Sequence, residues 1–132
     1  MAERSRDWVE QARRDLESAR LQAEGGFFEW ACFISQQAAE KAVKAAYQKL
    51  GGEAWGHALG PLLEGLREKV PVADELLACG RLLDRFYIPA RYPNSWDRGS
   101  PKDYFTQEDA GHALRCAESI LRFCEGLLAQ QR

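Results

Sequence analysis

From Phe27 to Leu50 the chain runs FFEWACFISQQAAEKAVKAAYQKL with neither glycine nor proline, and the run stops at Gly51 and Gly52. Alanine is the strongest helix former, and paired glycines end helices, so this segment predicts one long helix. Ala31, Ile34, Ala38, Ala42 and Ala45 recur at spacings of three and four, which places them on one stripe. Small side chains on a stripe let a neighbouring backbone approach closely. A helix of this kind has to be covered by other helices.

The rest of the chain supplies them. Val9, Ala12, Leu16, Ala19 and Ala23 mark a helix over about Arg6 to Glu24, with Ser5 or Asp7 as its cap and Gly25 and Gly26 as its stop. Glycines 51, 52, 56 and 60 form a mobile link. Pro61 suits a first helical turn, so a short third helix is expected from there to about Val70. A fourth is expected over Val72 to Phe86 with Leu76, Leu83 and Phe86 inward. The last begins at Thr106, whose spacing to Asp109 resembles a capping box. It turns Ala110, Ala113, Leu114, Ala117, Ile120, Leu121, Cys124 and Leu128 to one side. No alternating strand pattern and no internal repeat occurs. The expectation is a single all-α domain over residues 1–132, an antiparallel, up-and-down bundle of about five helices. Phe28, Trp30, Val43 and Tyr47 exceed what one small core can face, which predicts at least a homodimer.

Composition narrows the function classes. No run approaches the ~20 apolar residues of a membrane span, and the charged start MAERSRDWVEQARRD shows no export signal. Cys32, Cys79, Cys116 and Cys124 lack CxxC spacing and stand among apolar neighbours. They read as small core residues of a reducing compartment, neither disulfides nor zinc ligands. The chain is therefore expected to be cytoplasmic. A net charge of −2 argues against broad, salt-driven nucleic-acid binding. Locally, however, Arg81, Arg85, Arg91, Arg98 and Lys102 outnumber Asp84, Asp97 and Asp103. A basic spot on an acidic protein suits a small phosphate-bearing ligand or a defined RNA site; plain solvated charge is the alternative.

Between the fourth and fifth helices lies FYIPARYPNSW, residues 86–96. Pro89 and Pro93 keep it from being helical, and it reads as a stiff, extended connector. Its rings admit two roles: a plug of Phe86, Tyr87 and Trp96 over the core, or a ligand-facing element. A second unusual feature is the flank of the long helix, where Trp30, Phe33, Gln37, Lys41, Lys44 and Gln48 share a side. Gln37 and Lys41 either line a pocket or snorkel outward, with Glu40 pairing Lys44. Of the two histidines, His112 falls outside the apolar stripe and His57 precedes the third helix, where it suits a capping or orienting role. Neither has a metal-ligand spacing. No phosphate loop, GxSxG or other catalytic motif is present.

Four segments, DWVEQARRDLESARLQAEGGFFEWACFISQQAAEKAVKAAYQKLG, GHALGPLLEGL, LLDRFYIPARYP and DAGHALRCAESILRF, together resemble HEPN-domain proteins in the same order. That resemblance implies a bundle similar to the helical C-terminal domain of aminoglycoside nucleotidyltransferases, and dimerisation. It also implies a nucleotide or RNA ligand and a minimal nucleotidyltransferase partner in a toxin–antitoxin pair. Its ribonuclease branch, which needs no metal, uses an arginine followed four to six residues later by a histidine. Here the arginine corresponds to Arg91, and no histidine follows before His112. The catalytic histidine is missing, so a binding subunit is expected rather than an enzyme, with a degenerate ribonuclease and a plain interaction module as alternatives. No cofactor is implied. The candidate ligand-facing residues are Arg91, Tyr92, Tyr87 and Asp84 around the connector, Gln37 and Lys41 of the long helix, and His57.

Overall fold

The computed structural model describes residues 3–130. It contains helices α1 (Ser5–Glu24), α2 (Phe28–Leu50), α3 (Leu59–Arg67), α4 (Asp74–Asp84) and α5 (Gln107–Gln130), with no strand among the described residues. The alanine-rich α2 is the centre: α1 and α5 pack along it, α1 also meets α5, and α3 and α4 pair with each other over its other side. Six of its alanines, from Ala31 to Ala46, are buried. Their small side chains are what let two helices lie this close. Leu59, Leu63, Leu66, Leu83 and Ile120 are fully buried between elements, each contributing about 1.5–3 kcal/mol through lost apolar exposure.

The helix ends differ from the sequence expectation in instructive ways. The N-cap of α1 is Arg4 without a side-chain bond, and neither Ser5 nor Asp7 caps it. Glu3 accepts the Ser5 N–H at 2.6 Å, so a carboxylate just upstream does that work. Helix α3 starts at Leu59 rather than Pro61, because the Asp84 carboxylate accepts from Leu59 N at 2.6 Å and Gly60 N at 2.9 Å. Helix α4 starts at Asp74: Ala73 is extended at ψ 147°, and Arg67 ties back the Val72 carbonyl. Thr106 and Asp109 do form the reciprocal box ahead of α5, at 2.9 and 3.1 Å. Gly51 closes α2 in the left-handed region at φ 80°.

Two expectations about the core are corrected. Val43 and Tyr47 do not exceed what the core can hold; both are buried. Room for Tyr47 comes from Gly65 on α3, where a Cβ would collide with the Tyr47 hydroxyl; that hydroxyl donates to the Leu62 carbonyl at 2.6 Å. The cysteines are not all free: Cys79 of α4 and Cys116 of α5 form a disulfide, with Cα atoms 5.0 Å apart. Their separation of 37 residues hides in sequence a proximity that only the α4–α5 packing creates. Cys32 and Cys124 are free and buried, and burial pushes the pKa of both thiols up to about 12.

The connector is less extended than its prolines suggest. Arg91 N–H donates to the Ile88 carbonyl at 3.0 Å, a tight turn with Pro89 at its second position. Single 3₁₀ turns follow at Pro93–Ser95 and Pro101–Asp103. Its inner side is a plug. Trp96 donates to the Pro89 carbonyl at 2.9 Å, stacks on Tyr104 at 4.0 Å and meets Phe105 edge-on, which in turn meets buried Phe86. Tyr87 does not join this plug; it faces the other way.

Candidate functional site

On its outer side the connector meets α2 and the α2–α3 link. Tyr87 lies against Phe33 with ring centroids 6.1 Å apart, and His57 stacks on Tyr87 at 5.4 Å and 16°. The Arg91 guanidinium sits over three rings, 4.4 Å from Phe33, 4.7 Å from Tyr87 and 5.0 Å from Tyr92. Its Nε donates to the Tyr87 carbonyl at 2.8 Å. Among the described residues Arg91 enters no ion pair. An arginine held flat by π contacts keeps its terminal N–H groups for an outside acceptor. Beside it lies a shallow depression of about 130 Å³, bordered also by Trp30, Ser100 and Lys102.

His57 is fixed from beneath. Glu40, buried at 6 % exposure, places Oε2 2.8 Å from His57 Nδ1 and 2.9 Å from Lys44 Nζ. Gln36 donates from Nε2 to Glu40 Oε1 at 3.2 Å and to the His57 carbonyl at 3.0 Å. A carboxylate only accepts, so Nδ1 is the protonated nitrogen and Nε2 is left for a ligand. The imidazole side chain is 58 % exposed, so that nitrogen is accessible.

Of the seven residues expected to face a ligand, the fold brings Arg91, Tyr92, Tyr87 and His57 together. Asp84 does not join them; both its oxygens cap α3. Lys41 turns toward α1 and pairs with Asp15 at 2.5 Å, and Gln37 donates to Gln36 at 2.7 Å. Arg91 instead meets Phe33 of α2, a turn before Gln37 on the same flank. Sequence reasoning misses Glu40 and Gln36 as site residues. The available signal is a carboxylate and an amide set within an otherwise alanine-rich run. No group of three His, Cys, Asp or Glu side chains among the described residues is placed to hold a metal, and no helix there is long and apolar enough to cross a membrane.

A family model for the HEPN domain matches residues 5–127. The chain belongs to the HEPN family. HEPN proteins of known structure share its architecture. The protein TT1696 from Thermus thermophilus is 42% identical with a TM-score of 0.93, covering 96% of this chain and 100% of its own. The archaeal HEPN homologue ST0689 is also 42% identical, with a TM-score of 0.82 and coverage of 96% and 99%. A HEPN protein of Thermotoga maritima, tm0613, is 38% identical with a TM-score of 0.78 over 93% of this chain and 98% of its own. A more distant relative, 24% identical over 94% of this chain and 88% of its own length, is the toxin candidate MJ1304 of Methanocaldococcus jannaschii.

Proposed function

We propose that this HEPN protein is a nucleotide- or RNA-binding subunit that works with a minimal nucleotidyltransferase in a toxin–antitoxin-like pair, and that it is not itself catalytic. The observation that carries the reading is Arg91: a guanidinium stacked on Phe33, Tyr87 and Tyr92 that enters no ion pair among the described residues, with Glu29 and Lys102 bordering the same depression. Its fork suits a phosphate, and Tyr92, exposed at 47 %, offers a face for a base. The likeness to a toxin candidate supports the paired role. Calorimetric titration of AMP or a short RNA into parent and Arg91→Ala protein tests the site. A loss of about one to two decades in affinity is expected, the worth of a charge-assisted contact. Unchanged affinity at Arg91→Ala refutes it. Co-purification from the native host tests the partner.

Self-association is part of the same proposal. Phe27, Trp30, Ile88 and Tyr92 are exposed large apolar side chains, and surface of that kind suits a second copy. A sedimentation experiment at micromolar concentration that finds only the 14.9 kDa monomer removes it.

One observation favours a second reading, a metal-independent ribonuclease. His57, oriented by Glu40 at 2.8 Å, is a histidine near Arg91 supplied from another part of the chain, and an oriented imidazole is the usual base for a ribose 2′-hydroxyl. Degradation of RNA in chelator, abolished by His57→Ala, selects this reading; intact RNA selects the first.

A further inference from the structure

Helix α4 runs into the connector and is itself lightly anchored. Of its 11 residues, only Leu77, Gly80 and Leu83 are buried. A helix of this length is marginal by itself and takes its stability from its neighbours. On one side Gly80 lets it lie close against α3, where a Cβ would come within 2.7 Å of Leu63. On the other side the Cys79–Cys116 disulfide ties it to α5. The chain beyond Cys79 then builds the Arg91 cluster. Asp84 holds the start of α3 through Leu59 N and Gly60 N, just past His57. Tyr87 stacks on His57, and its carbonyl accepts from Arg91 Nε. The crosslink, the α3 cap and the ring beneath Arg91 therefore belong to one stretch of chain, residues 79–91.

We propose that the Cys79–Cys116 disulfide is a redox-reversible clasp on the Arg91 site, which a small thiol opens and a small disulfide closes. Closed, it holds α4 and the connector in the arrangement that presents the guanidinium; open, it lets them loosen. This rests on the Arg91 reading above and adds its regulation. Cys79 is partly exposed and Cys116 is buried, so an incoming thiolate meets Cys79 Sγ. The Sγ–Sγ bond breaks, and Cys116 leaves as a thiolate that takes up a proton. A second thiolate attacks the small-thiol sulfur of the mixed disulfide and releases Cys79. In balance, two small thiols become one small disulfide, and the protein gains two thiols. The remaining cysteines do not intercept the exchange. Cys32 and Cys124 are buried, with thiol pKa values pushed up to about 12, so they stay protonated and unreactive near neutral pH. Opening should spare α5, whose stripe from Ala110 to Leu127 is buried against α1 and α2 as well as α4. Helix α4 loses its one covalent tie, and the loosening falls on the stretch that carries the α3 cap, Tyr87 and Arg91.

The test uses the full chain in buffers of glutathione and glutathione disulfide at varied ratio, with AMP as the probe. Thiols are counted by alkylation, amide exchange is mapped by mass spectrometry, and AMP affinity is read by calorimetry. Reduction should be reversible and should speed exchange over residues 79–91 while leaving α1 and α2 as they were. AMP should weaken about tenfold, the factor expected when the competent arrangement is populated a tenth of the time. A double variant, Cys79→Ser with Cys116→Ser, should match the reduced parent in both readouts and ignore the glutathione ratio. A disulfide that excess glutathione does not open in the folded protein overturns the clasp. So does faster exchange spread evenly over all five helices, or unchanged exchange over residues 79–91; the bond is then a general staple. Localised loosening with AMP bound equally well in both states overturns the control of the site and leaves the Arg91 reading standing. Localised loosening in a protein that binds AMP in neither state supports the clasp and overturns the Arg91 reading.

Discussion

Glu40 and His57, 17 residues apart in the chain, are joined by a 2.8 Å bond between Oε2 and Nδ1. The two ends of that bond live in different surroundings. The carboxylate is buried and accepts from Gln36, Lys44 and His57, whereas the imidazole is mostly exposed.

The asymmetry has a stability consequence. Glu40→Ala leaves the Lys44 ammonium without its acceptor in a poorly hydrated place and takes one of two acceptors from the Gln36 amide, and should cost about 3 kcal/mol. His57→Ala removes an exposed ring from a carboxylate that keeps two donors, and should cost under about 1 kcal/mol. Urea unfolding of both variants measures the difference; equal costs would show that Glu40 acts only through His57.

Tyr47 and Gly65 are coupled by shape. Gly65→Ala drives a methyl into the Tyr47 hydroxyl and should destabilise by about 1–3 kcal/mol, as overpacking does. In a Tyr47→Phe background the collision disappears, so the same substitution should cost much less. A double-mutant cycle that returns no coupling contradicts this packing.

The Cys79–Cys116 bridge joins positions 37 residues apart. Its reduction should lower stability by about 4 kcal/mol through the freed chain entropy. Comparing denaturation with and without reductant gives the value. Thiol titration in denaturant should find two free groups before reduction and four afterwards, matching Cys32 and Cys124 as the free pair.

Acid should loosen the α1–α5 contact. Arg20 donates to Glu118 at 2.9 Å across it, and that bond, assisted by Arg122, holds the Glu118 carboxyl below its ordinary value. A depressed carboxylate contributes stability above its unfolded pKa and loses it as pH falls through the folded one. Glu118→Gln should therefore flatten the acid limb of the melting curve and leave the slope near neutral pH unchanged. An acid limb identical to the parent's would rule the contribution out.

Arg91→Ala should lower stability by about 1 kcal/mol, since what it loses is π contact and one hydrogen bond to the Tyr87 carbonyl at a partly exposed site. Phe86→Ala, one step inside the same connector and buried, should cost about 3–5 kcal/mol. Melts of the two variants separate ligand-facing from core-facing residues; a large loss at Arg91 would make it part of the plug.

The sequence alone determined the helices and the bundle. The α2 alanine stripe, the α5 period from Ala110 to Cys124 and the Thr106–Asp109 box are local patterns, and local patterns survive into the fold because each is satisfied within a few turns of its own chain. It also marked Arg91, Tyr87, Tyr92 and His57 as residues to follow. What it did not contain was who meets whom. Asp84 became the cap of α3, Lys41 the partner of Asp15, and Cys79 the partner of Cys116 only once distant helices had packed. Phe33 came to lie beneath Arg91 for the same reason: the turn at Pro89 sets where the guanidinium lands along α2. Long-range pairings of this kind depend on interhelical geometry that no spacing along one segment encodes. Only the tertiary structure decides whether a charged residue in an alanine run is an outward surface group or, like Glu40, the buried anchor of a site.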